Sequence, residues 1–156
     1  MNSLSSGAKE IWTRYCDSLL PHERPVAPLV EASMPGNPDI ADSLVRLYLD
    51  GHKTAGSSLL ADFVATGDPL PWIGKFWIVL DSTSEPRCIV RTDRVEQTKF
   101  KDVGSEVALA EGEGDCSLAY WRRAHAEFFE PFLQSWGVTD LEEATVVIEF
   151  FSVVYK

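Results

Sequence analysis

Gly51-His52-Lys53-Thr54-Ala55-Gly56-Ser57-Ser58-Leu59-Leu60 decides how this chain is read. It lies between an amphipathic helical pattern and a second apolar run. Within it sit one cation, three hydroxyl side chains and two glycines. A turn of this kind exposes backbone N–H groups, hydroxyl donors and one positive charge, a set suited to an anionic or carbonyl-bearing ligand. It is not a P-loop, because the lysine follows Gly51-His52 and no glycine stands five residues before Gly51.

Upstream, Asn37-Pro38-Asp39 reads as a helix start: Asn37 caps, Pro38 suits the first turn, and Asp39 favours the positive end of the dipole. Ile40, Leu44, Leu47 and Tyr48 form the apolar face, and Gly51 supplies the left-handed residue that ends the helix. Lys53 is thereby fixed to a rigid element. Further upstream, Ala8 to Leu20 reads as a helix with Ile11, Tyr15 and Leu19 on one stripe, stopped by Pro21. Residues 1–7 are expected to be a disordered N-terminus. Prolines 21, 25, 28 and 35 make 21–36 an extended arm packed on the surface of the domain.

Downstream, Ser57 reads as the cap of a short helix through Val64 that Gly67 ends. Phe76–Leu80 and Cys88–Val95 read as strands joined by a polar turn, with Ile89, Arg91, Asp93 and Val95 on one face and Val90, Thr92 and Arg94 on the other. A short helix is expected near Ser105–Ala110, then an acidic glycine-rich loop to Asp115. The longest helix runs from Ser117 to Trp136, with a kink or early end at Pro131. Thr145–Tyr155 is nearly all apolar and reads as a strand buried on both faces.

With 156 residues, the chain is one domain, long enough to bury about 68–70% of its unfolded surface. The formal net charge of −10 gives no overall field that would concentrate nucleic acid. Its charge is uneven: Lys75, Arg87, Arg91, Arg94, Lys99 and Lys101 form a locally basic stretch, and the stretch from Asp102 to Asp115 is acidic. The former is either a basic face or a mixed solvated surface. Cys16, Cys88 and Cys116 are far apart and make no ligand cluster, so no structural zinc, other metal or cofactor is expected. The opening residues lack an apolar leader and no run of 18 apolar residues occurs. The chain is expected to be cytoplasmic, with reduced thiols and no membrane partner.

Gly51-x-Lys53-Thr54-Ala55 with Ser57-x-Leu59-Leu60, Pro69-x-Pro71-x-x-Gly74, Ala110-Glu111-Gly112-Glu113-Gly114-Asp115 and Tyr120-Trp121-Arg122-Arg123 resemble the ASCH domain family in the same order, over residues from about Trp12 to Tyr155. The resemblance implies a single domain over 8–156 in the α+β class: a PUA-like, mostly antiparallel and partly closed β-barrel with surrounding helices. It also implies RNA binding, nuclease activity or amide hydrolysis on acylated cytidine. These activities are not interchangeable on one fold. The family's amidohydrolases resemble a lysine followed three positions later by a threonine, with a distant glutamate. Here the lysine is Lys53, the third position is Gly56, and Ser57 stands one residue on.

The candidate residues follow, each with two readings. Lys53 neutralises an anion or acts as a base, or is an exposed loop lysine. Ser57 is a displaced nucleophile or a helix cap. Glu113, the better match to the family glutamate, and Glu111 hold the lysine and accept a base amino group, or are solvated. Thr54 donates a hydrogen bond to the ligand. Trp121 and His125, four residues apart, stack on a base or lie in the core; Arg122 and Arg91 offer cations to phosphate; Tyr48 and Trp72 wall a base pocket or are core. The preferred reading is binding of RNA, a nucleotide or a modified nucleoside in a cleft between the Lys53 and Glu113 loops. The alternative is an ASCH-type hydrolase, an amidohydrolase on N4-acylcytidine or a metal-independent ribonuclease, with Lys53, Ser57 and Glu113 as its catalytic set. The acidic charge favours a nucleoside or short single strand over a duplex. A third reading is a protein-interaction domain.

Overall fold

The computed structural model describes residues 4–26 and 30–156. Helix α1 spans Ser6–Ser18, and the hydroxyl of Ser5 accepts from the Ala8 amide. The expected frayed end is therefore corrected for residues 5–7, because a serine cap lets the helix begin two residues early; residues 1–3 lie outside the described part. A single 3₁₀ turn follows at Pro21–Glu23. The proline arm becomes strand β1 at Val30–Ser33, with 27–29 outside the described residues. Helix α2 (Ala41–Leu49) begins after a turn in which Asn37 Oδ1 accepts from the Asp39 amide.

Strand β2 covers Ala55–Leu59 and helix α3 Leu60–Thr66. Ser57 is thus a strand residue and not a helix cap; its backbone pairs with Ile148 of strand β5 (Thr145–Tyr155), whose register overrides the weak strand preference of a Gly-Ser-Ser run. Strand β3 (Phe76–Leu80) turns through Asp81, which accepts from the Thr83 and Glu85 amides, into strand β4 (Pro86–Lys99). Helix α4 runs Ser105–Glu111 and ends at left-handed Gly112. Helix α5 is Leu118–Phe129, capped by Ser117, and gives way at Pro131 to a 3₁₀ turn.

The strands form one mixed sheet in the order β1-β3-β4-β5-β2; β1 is parallel to β3 and the other pairings are antiparallel. The α+β class holds, but the sheet is open, which corrects the partly closed barrel. β1 and β2 are its free edges, and the start of β2 is covered by α4, where the Thr54 amide and hydroxyl both donate to the Ala110 carbonyl. A register shift between Thr92 and Arg94 breaks the expected alternation of β4. Thr92 stays with Phe151, while Arg94 lies 3.8 Å over the ring of Phe150, whose side chain alternates to the other face.

The core has three parts. Helix α1 packs Ala8 and Tyr15 on Phe76, Ile78 and Ile89. Helix α2 packs Leu44, Val45 and Tyr48 on Val79, Val90 and Phe151. Helices α4 and α5 pack Val107, Ala108, Trp121 and Phe129 on Leu59, Val146 and Ile148. The closing strand is thus buried between two helical layers, as its apolar run predicts. No helix among the described residues is long and apolar enough to cross a membrane.

Candidate functional site

The end of α2 dictates where Lys53 goes. Gly51 takes φ +76°, and the amides of His52 and Lys53 both donate to the Leu47 carbonyl at 3.0 Å. The chain next runs against α4: Thr54 N donates to Ala110 O at 2.7 Å, and Phe151 N donates to Thr54 O at 2.9 Å. Gly112 closes the junction, since a Cβ there would stand 2.2 Å from the His52 carbonyl oxygen. These contacts bring Lys53 and Glu111 together across 58 residues of sequence.

Lys53 is 5% exposed, and its Nζ lies 3.2 Å from Glu111 Oε2 and 3.1 Å from Glu113 Oε2. Glu111 is not a loop residue but the last residue of α4, 2% exposed. Its carboxylate carries three hydrogen bonds and one further ionic contact. Oε1 accepts from the Ser57 hydroxyl and from Trp121 Nε1 at 2.8 Å; Oε2 meets Lys53 Nζ and, at 3.3 Å, His125 Nε2. Burial alone would raise this carboxyl. The Lys53 ammonium, with the contacts from His125 and Ser57, outweighs burial and holds it well below the usual carboxylate range. The ring of His125 stacks on Trp121 at 4.3 Å, and its Nδ1 lies 2.9 Å from the Trp121 carbonyl oxygen.

His125 therefore has carboxylate neighbours. The donor atoms of Glu111, Glu113 and His125 all lie within 4.8 Å of one another, a spacing that a divalent cation would accept. Lys53 Nζ, however, already bonds Oε2 of both carboxylates, so a metal would have to displace a buried ammonium.

This cluster opens into a cleft of about 850 Å³ that Tyr48, Phe151, Gly56 and Glu149 also line. Tyr48 is 2% exposed and stacks on Phe151 at 5.2 Å; burial first, then the charges of Glu111, Glu113 and Glu149 among others, push its phenol well above its ordinary value. Lys53, Ser57, Glu111, Glu113, Tyr48 and His125 are thus brought to one place, with Trp121 behind them in the core.

The other candidates lie elsewhere. Arg122 donates to both carboxylate oxygens of Glu142 at 2.7 Å and to the Phe100 carbonyl. Arg91 pairs with Asp93 and influences Tyr15 of α1, on the far face of the sheet. Trp72 is exposed under Lys75, and Thr54 is spent on the α4 junction. The basic stretch is paired along its length, with Lys99 and Lys101 both on Glu143. Sequence reasoning missed Glu149, although a single carboxylate in the apolar run of β5 was there to be noticed.

The buried Lys–Glu pair thus sits where the α2–β2 turn meets the end of α4, beside one edge of an open mixed sheet. A model of the ASCH domain matches residues 31–155, and the chain belongs to that family. It is similar to the ASCH domain from Lactobacillus crispatus JV V101 at 27% identity and a TM-score of 0.93, covering 100% of this chain and 99% of that one. It is also similar to a protein from Enterococcus faecalis V583 at 31% identity and a TM-score of 0.79, covering 94% and 87% of the two chains. No curated protein matches it.

Proposed function

We propose that this chain binds a nucleoside-sized ligand in the cleft beside Lys53. The observation that carries the reading is the donor count at Lys53. An ammonium has three N–H donors, and Glu111 and Glu113 take two. The third is left for a ligand oxygen, a base carbonyl being the chemistry expected of a nucleoside in this family. The cleft volume is of the size that holds a small molecule, and Leu44, Tyr48, Trp77 and Phe151 give it an apolar wall.

Charge selects among the ligands that the family suggests. Glu31, Asp62, Glu111, Glu113, Glu127 and Glu149 line the cleft against Lys53 and Lys75, and Lys75 already pairs with Glu31 at 2.7 Å. A phosphate would enter a field of its own sign. The reading is therefore a nucleoside over a nucleotide or an RNA strand. Calorimetric titration of N4-acetylcytidine, cytidine 5′-monophosphate and a short single-stranded RNA tests it. The nucleoside should bind and Lys53→Ala should lose it. Tighter binding of the RNA, unaffected by Lys53→Ala, would refute the reading.

A hydrolase is supported by one specific contact. The Ser57 hydroxyl donates to Glu111, so the serine one residue past the missing family threonine does reach the Lys–Glu pair. In that reading Ser57 Oγ attacks the acyl carbonyl as its proton passes to Glu111; the C–N4 bond breaks, that proton goes to the departing cytosine amine, and water then hydrolyses the Ser57 ester to release acetate. A carboxylate held well below its usual range is a weak base, which ranks this reading second. Release of acetate from N4-acetylcytidine by the parent, lost in Ser57→Ala, would promote it.

A further inference from the structure

We propose that Glu149 and Gly56, opposite one another on β5 and β2, form the recognition floor of the cleft. There Glu149 accepts N–H groups from the amino-bearing edge of a nucleobase laid across Gly56. The inference rests on the reading that the cleft takes a nucleoside.

Gly56 has no structural reason to be glycine. It sits inside a strand, and its φ is not positive. A Cβ built on it would meet only Phe151 Cε1, at 3.9 Å, an ordinary contact. A glycine inside a strand weakens it and gives no side chain to pack, so its use marks close approach by something outside the chain. The register pairs Gly56 with Glu149, so both residues present to the same side of the sheet, and both line the cleft.

Glu149 interrupts an otherwise apolar stretch between Ile148 and Phe150. Its Oε1 is bracketed by the hydroxyl of Thr92, a residue 2% exposed, which orients the carboxylate. Among the described residues Oε2 has no hydrogen-bond partner. Glu111 differs, since both of its oxygens already have partners. Glu149 is therefore a cleft carboxylate with free capacity on a fixed frame. The buried Tyr48 likewise finds no hydrogen-bond partner for its hydroxyl among the described residues, and that hydroxyl is not sealed from the cleft it lines. Lys53 offers a donor to a ligand oxygen, Glu149 an acceptor to a ligand N–H, and Gly56 the space between them.

The test is titration calorimetry with two matched pairs, cytidine against uridine and adenosine against inosine, on the parent, Glu149→Ala and Gly56→Val. In at least one pair the amino-bearing member should bind the parent about tenfold or more tighter than its oxo partner. Glu149→Ala should abolish that gap. Gly56→Val should lose binding of every nucleoside while its melting temperature stays at or above that of the parent, because valine suits a strand. Equal affinities within both pairs, a gap that survives Glu149→Ala, or parent-like binding by Gly56→Val would overturn this inference and leave the nucleoside reading intact. No nucleoside bound by the parent would sink both.

Discussion

Glu111 is the residue on which the site turns. Its carboxylate satisfies Lys53, Ser57, Trp121 and His125 at once, and none of these contacts is local except those along α4 and α5. Removing one partner of a buried ion pair leaves an uncompensated charge, so Glu111→Ala should lower unfolding free energy by about 3–5 kcal/mol in urea titration. The pH dependence follows from the direction of its shift. The folded carboxyl is held well below the ordinary glutamate value of 4.5, so the unfolded chain binds more protons in between. The stability it contributes is therefore complete above about pH 4.5 and is lost as pH falls toward the folded value. Glu111→Gln should flatten that acid limb of a stability-against-pH curve; an unchanged slope would deny the ion pair its role. Lys53 was legible from Gly51, which forces the helix to stop. Glu111 was named beside Glu113 as a partner of the lysine, but its burial at the end of α4 was not legible, because that depends on α4 docking against residues far away in sequence, and Glu113 fits the loop motif better.

At the scale of elements, the site is a junction between the α2–β2 turn and the α4–α5 turn. Gly112 has φ +66° and lies against the His52 carbonyl, so Gly112→Ala meets both backbone strain and a 2.2 Å clash. It should cost more than about 1 kcal/mol and weaken nucleoside binding as the Lys53 and Glu111 segments part. Ser117 caps α5 through the Tyr120 amide, so Ser117→Ala should cost about 1 kcal/mol without touching the cleft. Denaturant midpoints and binding titrations separate the two effects. Most elements could be read from periodicity and punctuation: α2 from its apolar stripe, α5 with its stop at Pro131, β3 and β5 from their apolar runs. β2 could not, since Ala-Gly-Ser-Ser is poor strand sequence and pairs only because β5 supplies a partner. β1 was hidden for the same reason among prolines, and the bulge in β4 left no mark in the sequence that would reposition Arg94.

The whole molecule carries a formal charge of −10, and its cleft repeats that sign. Nucleoside binding should therefore be nearly independent of salt between about 50 and 200 mM, whereas phosphate-driven RNA binding would fall steeply over that range. Topology was the least legible property. Composition and motif order define the α+β class, but whether a sheet closes depends on which edges meet, and here β1 and β2 remain apart at opposite ends of five strands. That openness leaves Gly56 and Ser57 on an edge strand facing the cleft. The central claim, a nucleoside held between Lys53, Gly56 and the Glu111 cluster, is tested most directly by nitrogen-edited NMR titration with N4-acetylcytidine. The account predicts saturable shifts at the amides of Lys53, Gly56 and Ser57 and at the indole N–H of Trp121, which bonds Glu111. Shifts confined to the basic stretch of β4, or none at all, would contradict it.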